Sequence, residues 1–131
     1  MQMYEVVLMQ LNTGTELTIY VKVDEAEISE NIFISAKIKE QEITSSNSNY
    51  LSAYQEFRDK LLEAGYGVKC NGSRLNIVQS VMMGATDRVY IVEMGKQALM
   101  KDMVHIWDYA DINTFVDTKQ QKNFFEGWSK G

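Results

Sequence analysis

The sequence predicts an α+β fold: a mainly antiparallel sheet of about six or seven strands with two helices packed on it. Three observations carry that expectation. Residues 16–23 alternate apolar and polar side chains, residues 50–64 place apolar side chains every third or fourth position, and turn-rich segments separate these runs from further β-branched stretches. A length of 131 residues suits a single domain spanning 1–131, because a second core cut from so short a chain would be too small to persist.

The first two strands form a hairpin. Leu17, Ile19, Val21 and Val23 share one face and alternate with Glu16, Thr18, Tyr20 and Lys22. Glu5 to Leu11 supplies the partner run, and Asn12-Thr13-Gly14-Thr15 supplies turn residues that tolerate positive φ. A third strand runs from Ile32 to Ile38, with Ile32, Ile34, Ala36 and Ile38 on its buried face. Ile43 to Asn49 reads as a polar loop whose short side chains compete for backbone hydrogen bonds and cap a following helix. That helix spans Tyr50 to Ala64, with Tyr50, Tyr54, Phe57, Leu61 and Ala64 on one stripe, Glu56 and Lys60 spaced as an ion pair, and Gly65 as its stop.

Asn71-Gly72 is the dipeptide that a type I′ turn prefers, so Val68–Cys70 and Arg74–Val78 are expected to pair as a second hairpin. Ser80 to Thr86 reads as a loop, Asp87 to Met94 as a strand and Met103 to Trp107 as a short one, with Gly95 to Lys101 connecting the last two. Asp117 and Gln120 have capping-box spacing for a final helix, whose Phe124, Phe125 and Trp128 are expected to dock the C-terminus.

The formal net charge of −5 disfavours a nucleic-acid partner, since phosphate binding requires cations. It suits a basic one, whose approach the field would accelerate. A solvated acidic surface that serves solubility is the plainer reading of the same charge. A single cysteine, Cys70, forms no internal disulfide and no multi-thiolate zinc site, which favours a reducing compartment and a cytoplasmic location. No basic leader and no run of about 18 apolar residues is present, so neither export by a visible signal nor a membrane partner is expected.

No catalytic residues, metal or cofactor are expected. His105 is the only histidine, and it lies inside Met103-Val104-His105-Ile106-Trp107, where a packed strand residue is the simpler reading. No Gly-x-Ser-x-Gly presentation occurs, Cys70 falls on a strand, and no glycine spacing suits a phosphate. Two acidic groups stand out, Asp24, Glu25, Glu27 and Glu30 between the second and third strands, and Asp108 and Asp111 around Tyr109. Exposed loops explain both groups; docking of basic side chains is the simplest function for either. Val81-Met82-Met83-Gly84 offers a soft contact surface if exposed, though methionine more often fills gaps in a core.

The run Cys70-Asn71-Gly72-Ser73-Arg74, continued by Leu75-Asn76-Ile77, Ser80, Met82, Tyr90 and Ile106-Trp107-Asp108, resembles a family of small bacterial immunity proteins encoded beside polymorphic or contact-dependent growth inhibition toxins. The paired Phe124 and Phe125 extend the likeness, while Ser80-Val81-Met82 stands where the family favours a serine-glycine-methionine run. The resemblance implies a cytoplasmic protein that binds and neutralises a cognate toxin domain, such as a basic nuclease. Asp24, Glu25, Glu27, Glu30, Asp108, Tyr109 and Asp111 are then the candidate partner contacts. Asn71, Gly72 and Arg74 match the family, yet a tight turn explains them structurally. Two alternatives stay open: a homo-oligomeric structural or regulatory protein and a small carboxylate-dependent hydrolase.

Overall fold

A computed structural model describes residues 1–25 and 30–130. The fold is α+β, with antiparallel strands divided between two sheets. The larger holds β1 (Gln2–Gln10), β2 (Glu16–Glu25), β3 (Ile32–Ile38), β4 (Gln41–Asn47) and β5 (Tyr66–Val68) in the order β4-β3-β2-β1-β5. The smaller holds β6 (Ile77–Val78), β7 (Arg88–Ile91) and β8 (Met103–His105) in sequence order.

The expected hairpin forms in register, with Val6 opposite Ile19 and Leu8 opposite Leu17, and β3 adds to it with Val23 opposite Ile34. Alternation then puts Val6, Leu8, Ile19, Val21, Val23, Ile34 and Ala36 on one buried face. Helix α1 (Tyr50–Glu63) covers that face with Tyr50, Ala53, Tyr54, Phe57 and Leu61. It begins where expected, Asn49 accepting from the Ser52 amide at 2.8 Å, and ends before Gly65, whose φ of +94° carries the chain back into β5.

The segment expected to be a polar loop is largely β4. Ile43 and Ser45 point into the core, and the Ser45 hydroxyl is satisfied there by donating to the Ala53 carbonyl at 2.7 Å. Glu56 and Lys60 do not pair with each other. Glu56 accepts from Asn47 Nδ2 at 2.9 Å and Lys60 donates to the Thr44 carbonyl at 2.6 Å, so both fasten α1 to β4.

The Asn71-Gly72 hairpin does not form. Residues 71–73 make a 3₁₀ turn, β5 pairs with β1, and β6 pairs with β7. Gly72 is not in the left-handed region; it is glycine because a Cβ there would lie 2.7 Å from both Ile106 Cγ2 and Tyr54 Cε2. Close approach, not turn geometry, selects the residue. The chain leaves the large sheet at Lys69–Ser73 and returns alongside at Ile106–Ala110. Three backbone hydrogen bonds join the two segments: Asn71 N to Asp108 O at 2.9 Å and Ala110 N to Lys69 O at 3.1 Å, which form the Cys70–Tyr109 bridge, and Gly72 N to Ile106 O at 3.0 Å.

Helix α2 (Thr118–Ser129) has the expected capping box, Asp117 with Gln120. Of the aromatic residues expected to dock it, Phe124 and Trp128 are half-buried, with Trp128 Nε1 donating to the Lys96 carbonyl at 2.8 Å, while Phe125 is exposed; its fully buried residue is the polar Gln121. The Gln121 amide donates to the carbonyls of Gly72 at 2.9 Å and Arg74 at 2.7 Å. Its oxygen accepts from Gln55 Nε2 at 3.0 Å and Arg58 Nη2 at 2.7 Å. Four partners meet in one side chain, which is why a glutamine is retained in a buried position.

Candidate functional site

Beyond the N-terminal end of α1, the inner face of the large sheet runs on past its helix cover. Tyr4 and Glu25 share the parity of Val6 and Val23, so they extend that face at the end of β1 and β2. The segment Ala85–Arg88, His105 and Asp108 stand opposite, and Tyr50, the first residue of α1, joins them. Together they enclose an open cleft of about 910 Å³.

Tyr4 and Tyr50 line this cleft, backed by a buried aromatic cluster. Trp107 stacks on Tyr4 with centroids 5.5 Å apart, meets Tyr54 and Phe57 edge-on at 5.1 and 6.1 Å, and donates its indole N–H to the Tyr50 hydroxyl at 2.8 Å. Its walls are acidic. Burial raises the Tyr4 phenol above its usual value, and the carboxylates of Asp87, Glu25 and Asp108 push it further. A hydrogen bond with Tyr50 acts in the opposite direction. Burial also raises Tyr50, so the phenol stays protonated. Among the described residues Arg88 and Met1, which carries the N-terminal ammonium, also line the cleft, and Asp87 Oδ2 lies 3.1 Å from His105 Nδ1. His105 thus occupies β8 as expected, but its ring is about half exposed beside a carboxylate instead of packed in the core.

The expected contact residues separate into distinct places. Glu25 and Asp108 enter the cleft. Asp24, next to Glu25, has the opposite parity and sits on the outer face, 3.7 Å from the N-terminal ammonium. Glu30 is exposed, and Glu27 lies outside the described residues. Asp111 and Tyr109 gather around Lys69, whose Nζ is 2.6 Å from Glu16, 3.3 Å from Asp111 and 5.7 Å from the Tyr109 ring centroid. The Glu16 hydrogen bond is the first cause that raises Lys69, and the one ammonium is shared between two carboxylates. Asn71, Gly72 and Arg74 are structural: Asn71 Nδ2 donates to the His105 carbonyl at 3.2 Å, and Arg74 Nε donates to Asn71 Oδ1 at 3.1 Å.

Tyr4, Tyr50, Asp87, Arg88 and His105 were not legible as site residues, since they come from four separate stretches of sequence. Cys70 is buried, its thiol raised by desolvation and 3.1 Å from the Tyr54 hydroxyl, which makes it a packing group and not a nucleophile. Among the described residues no three His, Cys, Asp or Glu side chains are placed to hold a metal ion, and no helix is long and apolar enough to cross a membrane. No family model and no curated protein matches this chain.

Proposed function

We propose that this protein is a binding module whose cleft receives a basic segment of a partner protein, and that its biological form is an immunity protein neutralising a cognate bacterial toxin in the cytoplasm. The observation that supports the binding reading is the placement of Glu25, Asp87 and Asp108 together on the lining of one open cleft. Carboxylates beside the Tyr4 and Tyr50 rings suit a guanidinium or ammonium group, which gains charge-assisted hydrogen bonds at the walls and a cation–π contact with a ring. The immunity form rests on the sequence resemblance and on the match between an acidic cleft and a basic toxin domain.

Co-expression with the products of neighbouring genes tests the biological form by growth rescue and by co-purification of a stable complex. A neighbour that is toxic alone and harmless when bound supports it; absence of any toxic or binding neighbour removes it. Charge reversal then tests the cleft. Glu25→Lys and Asp108→Lys are expected to slow association with the rescued toxin about tenfold and to flatten its salt dependence. Asp111→Asn, at a carboxylate paired with Lys69 away from the cleft lining, is expected to leave association unchanged. Equal rates for all three variants would place the toxin elsewhere.

A further inference from the structure

The loop that forms one wall of the cleft also carries Val81 and Met82, which are 97% and 96% exposed. Single exposed hydrophobes are ordinary on protein surfaces. Here two adjacent ones stand on a 3₁₀ turn, residues 81–83, that the rest of the loop holds firmly. Gln79 Nε2 closes the loop by donating to the carbonyls of Thr86 at 3.0 Å and Arg88 at 2.9 Å. Within it, Met83 N bonds Ser80 O at 3.1 Å, Gly84 N bonds Val81 O at 3.2 Å and Thr86 N bonds Met83 O at 2.9 Å. The Tyr50 amide ties the loop to the body through the Gly84 carbonyl at 2.7 Å. At Gly84 a Cβ would fall 2.8 Å from Asn49 Nδ2, so the loop lies close against the start of α1.

We infer that Val81 and Met82 form an apolar anchor for the same partner, and that the segment received is a basic amphipathic one. This inference rests on the binding reading of the cleft. Cations enter toward Glu25, Asp87 and Asp108, while apolar side chains of the same segment cover the Val81–Met82 tip. The tip and the cleft are close: Met82 and Ala85 are three residues apart, which limits their Cα separation to about 11 Å. A wholly apolar partner would desolvate Glu25, Asp87 and Asp108 while adding no cation to Arg88 and the N-terminal ammonium, and a wholly cationic one would leave the tip in water. A second copy of this chain brings a further formal charge of −5 toward an acidic cleft, so self-association is opposed. The fixed loop backbone lowers the ordering cost of binding, and the flexible thioether of Met82 adapts to the surface it meets.

Two synthetic peptides of equal charge, an oligolysine and an amphipathic lysine–leucine helix, test the inference by fluorescence anisotropy at low and moderate salt. The wild-type protein is expected to bind the lysine–leucine peptide about tenfold or more tightly than the oligolysine, as truncation of a two-residue anchor would imply. The double variant Val81→Ser, Met82→Ser, whose thermal unfolding should match wild type because both side chains are solvent-exposed, is expected to lose that preference and to bind oligolysine as before. Equal wild-type affinity for the two peptides, or a preference that survives in the double variant, overturns the anchor while leaving the acidic cleft intact. Binding of neither peptide overturns the binding reading and the anchor with it. Concentration-dependent dimerisation abolished by the double variant would assign the tip to a second copy and overturn the proposed occupant.

Discussion

Replacing Gln121 with leucine would put the polar docking of α2 to a direct test. The side chain is 2% exposed and forms four hydrogen bonds, one of them to Arg58, itself 1% exposed. A bond to a charged partner contributes about 1.5–3 kcal/mol and each neutral one about 1 kcal/mol, so the four together represent about 5 kcal/mol. Leucine restores about 1 kcal/mol through apolar burial, leaving an expected loss of about 4 kcal/mol. The loss falls hardest on Arg58. Its Nη1 already lacks a hydrogen-bond partner among the described residues, and without Gln121 its guanidinium would retain Asp59 at 2.8 Å and Thr118 at 3.3 Å. Urea and thermal unfolding measure the effect, and at this chain length 4 kcal/mol corresponds to a fall in Tm of about 15 °C. Phe125→Ala on the same helix serves as the comparison and should cost less than about 1 kcal/mol, since that ring lies largely at the surface. A loss below about 1 kcal/mol for Gln121→Leu, with a larger one for Phe125→Ala, would refute polar docking and restore the aromatic residues as the anchor.

Gly72→Ala should cost about 2–3 kcal/mol by overpacking against Tyr54 and Ile106, read as a lower urea midpoint with an unchanged slope. The Cys70 thiol should resist a disulfide reagent in the native state and react at the rate of unfolding, because burial both hides it and raises its pKa. Alkaline pH should destabilise the fold. Burial raises Tyr50 and Tyr54 in the native state, so their contribution is complete below the unfolded value of about 10 and declines as pH rises beyond it. Equilibrium unfolding between pH 8 and 11 checks the sign, and Tyr54→Phe should weaken the decline while leaving the Cys70 and Ser73 side chains without their shared hydroxyl partner.

Strands β1 to β3 and helix α1 were legible because each buries one face, and one-sided burial imposes a period on the sequence. Strand β4 was hidden by its serines: Ser45 occupies an inward position, and only its bond to the Ala53 carbonyl makes a hydroxyl acceptable there. The Asn71-Gly72 pair misled because two different constraints, positive φ and close approach, select the same residue. Gln121 gave no signal, since a glutamine among polar neighbours on a short helix looks solvated until its four partners are brought to it from remote segments. The cleft was half legible. Glu25 and Asp108 stood out as acids, and strand parity separates Glu25 from Asp24, but the junction of Tyr4, Tyr50, Asp87 and His105 exists only once two sheets meet at the end of one helix.

The paired segments Lys69–Ser73 and Ile106–Ala110 make the small sheet an excursion with both ends clasped together. One wall of the cleft, Tyr4, Glu25 and Tyr50, belongs to the frame outside the clasp; Asp87, Arg88, His105 and the Val81–Met82 tip belong to the excursion. The cleft is therefore divided between the large-sheet frame and the excursion. On the binding reading proposed above, substitutions on the excursion wall would change the contacts offered to a partner without touching Tyr4, Glu25 or Tyr50.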